Sequence, residues 1–412
     1  MKVFVFMDME GRTIRVGQLF AEHRRGCLTS AFTYDSEYLS QRFAYPIDPA
    51  LPLGTGTWPV AGPLPRAFLD AAPDRWGRNL IARRAAIEAA AAHKPARTLD
   101  ELDYLLGVSD SSRQGALRFT RVEGQFEHPS DDIPKLIQLP ALLAAVRHVT
   151  NEDRNADESV KTLLDMGSAS LGGARPKASV LDGQRMMVAK FAHPHDQWNV
   201  MAWEKTALDL AEIAGVETPP RRLVDIDDSP ILLIDRFDRT EDGSRIGYMS
   251  AMTLCEADDG EHSDYLHIAE RLATVSACPP KDLEQLWRRV VFGLAINNTD
   301  DHLRNHGFVR ARSGWRLSPA FDLNPDPSVS APHATSIGGE TVSPAAVYAA
   351  MEAIPFFGLS PAEAKSIVSA VRESVRQWRT IAMRNSLSER EIDRFEPVFD
   401  QGISALETVL AS

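Results

Sequence analysis

The sequence predicts an α+β protein of two or three domains, in which β-rich segments lead into a mostly helical half. Length is the first ground, because 412 residues exceed one ordinary domain at ~150 residues each. The second is the start of the chain, where Val3, Val5 and Met7 alternate with Lys2, Phe4 and Phe6, the period of two that a strand requires. The third is the stretch past residue 260, where helical patterns dominate. Hydrophobic residues make up 44% and charged residues 25%, values that exclude disorder for the bulk of the chain.

Each element follows from its local signals. Gly11 marks a turn after the first strand, and Ile14 to Phe20 and Ser30 to Tyr34 read as further strands. Residues 46–65 are rich in proline and glycine and read as a loop. Helix begins near Ala67. Asn79 to His93 is full of alanine, the best helix former, and Pro95 closes it. A short helix, Leu99 to Leu106, precedes a strand over Ala116 to Val122. The polar run Glu123 to Pro134 is a domain boundary. Two helices follow, Ile137 to Val149 and Asp153 to Leu164, and then a glycine-containing loop, Gly167 to Gly173. Strands over Ala178 to Leu181 and Arg185 to Phe191 join at Asp182-Gly183, a hairpin signal. Asn199 to Ala214 is helical, and Arg221 to Asp225 and Pro230 to Asp235 are strands. The last helices are Tyr265 to Thr274, Lys281 to Ile296, Pro344 to Ile354, Pro361 to Met383 and Ser388 to Leu410. The expected domains are 1–125, 135–240 and 241–412.

Charge narrows the function classes. With 45 basic and 57 acidic residues the net charge is −12, which tells against independent nucleic-acid binding, because phosphate neutralisation needs a basic face. Three separated cysteines, Cys27, Cys255 and Cys278, form no CxxC pair and no disulfide scaffold. The N-terminal stretch lacks the apolar core of a signal peptide. No apolar run reaches the ~18 residues of a membrane span. The expectation is a reducing, cytoplasmic location without membrane contact.

The strongest chemical motif is AINNTDDHLRNHGF, residues 295–308. Asp300 and Asn305 lie five apart after an apolar helix, and Asp322 follows seventeen later in LSPAFDLNPDP. This is the protein-kinase order of a catalytic aspartate, a metal-binding asparagine and a metal-binding aspartate. A carboxylate orients and accepts the proton of an attacking hydroxyl, while the amide oxygen and second carboxylate suit Mg²⁺, a hard cation. Helix capping by Asn298 or Asp300 with a turn at Asp322 gives the same spacing. GSASLGGARPK, residues 167–177, carries glycines that let backbone N–H groups approach phosphates. It is not a Walker A motif, and a flexible linker fits it too. Lys190 ends an apolar strand like the V-A-I-K lysine, with Glu204 fourteen residues on. ILLIDRFDR, residues 231–239, runs where a hinge would meet adenine, or is a buried strand with a solvated charged end. His302 and His306 have the i, i+4 spacing of a zinc pair but lack its glutamate base.

Taken in order, these motifs resemble the HipA family of serine/threonine kinases, the toxin halves of bacterial type II toxin–antitoxin pairs. YPIDPALPL, DAAPDRWGR and LLGVSDSSRQGALRF are similar to the family's N-terminal region. SLGGARPKASV, VAKF, IDRFDR, NNTDDHLRNHGF and LSPAFDL are similar to its kinase part. The resemblance implies a protein-kinase-like two-lobed fold that holds ATP and Mg²⁺ in a cleft. It implies Asp300 as catalytic aspartate and Asn305 and Asp322 as metal ligands. Gly172, Gly173, Ala174 and Lys177 would form the phosphate loop. Lys190 would contact phosphates, His302 would join the nucleotide site, and Asp235 and Phe237 would offer hinge backbone to adenine. Ser170, or the nearby Ser168, falls at the autophosphorylated regulatory serine. The implied partners are a HipB-like helix-turn-helix antitoxin, which would carry any DNA contact, and a protein substrate such as an aminoacyl-tRNA synthetase. The implied outcome is growth arrest. The loop reads GGARPK where Gln-Glu is familiar before the lysine, and Asp235 stands where glutamate is usual. No catalytic position is lost, so an active kinase is expected. The competing readings are a corepressor built on a weak kinase fold and a small-molecule phosphotransferase.

Overall fold

The computed structural model describes residues 1–24, 26–126, 133–168 and 175–411. Packing divides the chain into two compact units: Met1–His195 with Asp225–Met249, and Asp196–Val224 with Ser250–Ser412.

The first unit opens with an antiparallel sheet of β1 (Lys2–Met9), β2 (Arg12–Arg24), β3 (Cys27–Tyr34), β4 (Trp58–Pro59) and β5 (Leu117–Thr120), in the order β4-β3-β2-β1-β5. The alternation that predicted β1 is visible in burial: Val3, Val5 and Met7 are buried. Residues 46–65 are a loop except at β4, where Phe32 pairs with Trp58 and Ala31 with Pro59 at the sheet edge. Proline is tolerated there because an edge strand leaves its missing N–H facing outward. The alanine-rich helix runs over Arg75–Ala91, four residues earlier than its composition suggested. Asp74 sets that start, since its side chain accepts from the Gly77 N–H.

The same unit carries β6 (Lys177–Asp182), β7 (Arg185–Phe191), β8 (Arg221–Ile226) and β9 (Ser229–Asp235), with the division between units falling within β8. β7 pairs antiparallel with β6 and with β9. The β6–β7 turn sits one residue later than predicted. Asp182 pairs with Arg185, so the central residues are Gly183 and Gln184, and only Gly183 has positive φ, 65°. Glycine supplies that conformation without a Cβ clash.

The second unit is mostly helical, as expected, with two differences. A short hairpin, Gly307–Ala311 and Gly314–Leu317, follows the Asp300 loop. The single helix predicted over Pro361 to Met383 is two, Pro361–Val375 and Trp378–Arg384. The break seats Trp378 in an aromatic cluster: it stacks on Phe399 at 4.4 Å between centroids, while Trp203 stacks on Phe395 at 4.0 Å. Tertiary burial of the indole overrides local helix propensity. The closing helix, Glu389–Ala411, crosses Pro279–Ala295 at Gly402, where an added Cβ would lie 2.0 Å from the Ala295 carbonyl oxygen. Gly402→Ala is therefore expected to destabilise the fold by about 1–3 kcal/mol, read as a lower urea midpoint. Among the described residues no helix is long and apolar enough to cross a membrane.

Candidate active site

In the second unit, the long helix Pro279–Ala295 delivers the chain to Asn297, which adopts a left-handed φ of 55°. Asparagine visits that region more readily than most residues. Its amide donates to the carbonyls of Asp326 at 2.7 Å and Ser328 at 3.1 Å. Asn298 Oδ1 accepts from the Asn324 N–H at 3.0 Å. These bonds tie the segment just after Asp322 to the start of the Asp300 loop. Asp322 itself has a φ of 59°. A non-glycine residue held there costs ~1–3 kcal/mol, and such strain collects at functional sites.

Within the loop, Asn305 Nδ2 donates to the Asp300 carbonyl at 2.9 Å, which turns its Oδ1 the other way. The His302 N–H donates to the Asp300 carbonyl at 3.0 Å, and the Asn305 N–H to the His302 carbonyl at 2.8 Å. The structure thus brings Asp300, His302 and Asn305 into one tight turn, and joins it to the Asp322 segment through Asn297 and Asn298. Asp300 is exposed, Asn305 buried and Asp322 half-buried. The oxygens of Asn305 and Asp322 suit Mg²⁺, which takes one or two carboxylates and fills its shell with water and phosphate. Among the described residues no three His, Cys, Asp or Glu side chains gather as a metal cage, and such a cage is not what Mg²⁺ needs.

Sequence reasoning missed what lies beneath this turn. Asp301 is buried, accepts from the Tyr265 hydroxyl and sits 3.2 Å from His306 Nε2, while its carbonyl accepts from Thr335. Burial alone would raise the Asp301 pKa. The neighbouring His306 ring, the Tyr265 hydroxyl and Arg289 reverse this and hold it below the ordinary carboxylate range. His306 is therefore a buried partner of Asp301, fully shielded from solvent. Tyr265→Phe removes one donor from this carboxylate and is expected to cost about 1–3 kcal/mol, measured by chemical denaturation.

The other candidates belong to the first unit. Lys177 and Lys190 are directly opposite across the β6–β7 pair. The Lys177 ammonium is 2.9 Å from Asp74 Oδ2, with both side chains only 4% exposed. Lys190 is half-buried. Asp235 and Phe237 are half-buried, with Asp235 3.3 Å from Arg185 and Phe237 against the Tyr248 ring. The other charges of this run are not solvated. Arg236, Asp238 and Arg239 are all buried. Arg236 grips Asp238 with two bonds, 2.8 and 2.6 Å, and donates to the Ser112 carbonyl at 2.6 Å and to Ser179 Oγ at 3.1 Å. Arg239 donates to Asp238 at 2.8 Å and to the Arg113 carbonyl at 2.6 Å, and the Gly115 N–H donates to Asp238 at 2.8 Å. IDRFDR is thus bolted to the loop preceding β5. Burial would raise the Asp238 pKa, but the charges and hydrogen bonds of Arg236 and Arg239 push it far below the usual range.

Ser170, Gly172, Gly173 and Ala174 lie outside the described residues. Ser168 is buried, and its hydroxyl has no hydrogen-bond partner among the described residues. Glu204 is buried on the helix Val200–Ile213 of the second unit.

A small four-stranded sheet in one unit, followed in the chain by a mostly helical unit, is the content of a protein-kinase-like two-lobed fold. More narrowly, the chain belongs to the HipA family: the HipA N-terminal domain model matches residues 7–118 and the HipA-like C-terminal domain model residues 169–379. The solved structure of Shewanella oneidensis HipA, determined with HipB and operator DNA, matches 98% of this chain and 97% of its own, with a TM-score of 0.68 and 16% identity. Two Sinorhizobium fredii proteins, "Putative kinase Y4mE" and "Putative kinase Y4dM", are each 24% identical over 131 and 194 residues, or 29% and 43% of this chain. The matches span 31% and 47% of the length of these curated relatives.

Proposed function

We propose that the chain is a HipA-type protein serine/threonine kinase that transfers the ATP γ-phosphate to a protein hydroxyl and to its own loop serine, Ser170 or Ser168. The observation that carries this reading is the Asp300 turn, in which an exposed aspartate has its backbone carbonyl held by the Asn305 amide and the His302 N–H. Asp300 orients the attacking hydroxyl and takes its proton. Asn305 and Asp322 hold Mg²⁺, which when bound offsets charge on the phosphates. Lys190 adds a fixed positive charge, Asp235 and Phe237 present backbone to adenine, and His302 borders the nucleotide. Gly172, Gly173 and Ala174 form the phosphate loop that Lys177 closes. Positioning and electrostatics supply the acceleration.

The HipB named with the Shewanella structure supports a HipB-like helix-turn-helix antitoxin as partner, and the net charge of −12 supports leaving DNA contact mainly to it. The substrate is proposed to be a component of translation such as an aminoacyl-tRNA synthetase, with growth arrest as the outcome. The test is labelling of the purified protein with γ-labelled ATP, alone and in cell extract. Labelling is expected with Mg²⁺ and is expected to vanish on EDTA chelation and return with added Mg²⁺. Absence of label under all conditions refutes the reading.

A further inference from the structure

We propose that Asp74, in the N-terminal domain, is a positioning residue for nucleotide binding: it holds the Lys177 ammonium as a buried strut at the root of β6. The inference rests on the kinase reading and deepens it, by giving the DAAPDRWGR run a task that the reading leaves unassigned.

The two lysines raise the problem that Asp74 solves. Residues directly opposite on antiparallel strands share a face, with Cβ atoms ~4.5–5.5 Å apart, and like charges there repel. Lys177 and Lys190 are such a pair. Asp74 offsets one of them, since its Oδ2 meets the Lys177 ammonium at 2.9 Å where each side chain is 4% exposed. The carboxylate is itself immobilised, because its Oδ1 accepts the Gly77 N–H at 2.7 Å and caps the helix Arg75–Ala91. A helix N-terminus favours a negative charge at that place. The register adds a second tie, as the Phe191 N–H donates to the Pro176 carbonyl at 2.9 Å, immediately before Lys177. The chain leaving the 169–174 segment is therefore clamped at Pro176 and Lys177, one clamp from β7 and one from the N-terminal domain. On the other strand, Lys190 lies beside Leu232 of β9 and is only half-buried. On the kinase reading, Lys177 is held by Asp74 at the root of β6, while Lys190 serves the nucleotide phosphates.

The sign of the Asp74 effect separates a strut from a ligand. A strut loses its seat when the carboxylate goes, so Asp74→Asn weakens Mg²⁺-ATP binding. A phosphate ligand restrained by Asp74 would be released, and the same change would tighten binding. Asparagine is as good an N-cap as aspartate, so the helix start survives. A double-mutant cycle on the full chain measures this by calorimetric titration with Mg²⁺-ATP, at a temperature where circular dichroism shows each variant folded. Asp74→Asn and Lys177→Met are each expected to weaken binding about tenfold. The double variant is expected to be impaired about as much as either single variant, because each change removes the same strut. Asp74→Asn and Lys190→Met are expected to multiply as independent losses. Should a single variant fail to fold, the double variant against wild type decides: a weaker affinity supports the strut and an unchanged affinity overturns the proposal. Tighter binding by Asp74→Asn, or multiplying losses for Asp74→Asn and Lys177→Met, overturns it too. If folded wild type binds no Mg²⁺-ATP, the kinase reading falls and takes the inference with it.

Discussion

Asp300→Asn is expected to lower the phosphoryl-transfer rate by about 10²–10⁴-fold, the range for losing a positioned general base. The fold should survive, because Asp300 is exposed and the asparagine variant keeps the backbone carbonyl that accepts from the Asn305 amide and the His302 N–H. Single-turnover transfer with saturating Mg²⁺-ATP reads this loss directly, and nucleotide affinity should change little. A loss of affinity with an unchanged transfer rate would assign Asp300 to nucleotide binding instead. The adjacent Asp301 provides an internal contrast. It is a buried carboxylate paired with Tyr265 and His306, so its replacement should lower stability as well as activity.

Asp238→Ala is expected to destabilise the chain by about 3–5 kcal/mol, since it leaves two buried guanidinium groups without their carboxylate. Arg236 and Arg239 would keep their carbonyl partners on the 111–115 loop but lose the charge that made burial tolerable. The same group predicts a pH dependence. Its carboxyl is held well below its unfolded value of about 3.9. Its contribution is therefore full above that unfolded value and is lost as the pH falls through it toward the depressed folded one. Urea midpoints measured between neutral and acidic pH should fall in wild type and fall less in Asp238→Ala. Equal slopes would place the acid sensitivity elsewhere.

What the sequence disclosed and what it concealed divide by distance along the chain. β1 is legible because its alternating burial is local, and the Asp300 turn is legible because its members lie within five residues. The strand that ends at Asp235 is also legible, but not the fate of the charges after it, because the carbonyls that receive Arg236 lie 124 and 123 residues earlier. The Lys177–Asp74 pair spans 103 residues, and no local pattern announces it. The start of the alanine-rich helix is hidden in the same way, because the Asp74 cap outweighs composition. The split at Trp378 came from aromatic packing against Phe399, which helix propensity does not contain. The Asp301–Tyr265 bond spans 36 residues; a second aspartate directly after Asp300 was its only trace in the sequence.

Peptide mass spectrometry of wild type and Asp300→Asn after incubation with Mg²⁺-ATP tests the kinase reading most directly. Wild type should gain phosphate on Ser170, or on Ser168, and the variant should gain none. Absence of phosphate on wild type and on every protein of a cell extract, or equal phosphate on the variant, would contradict it.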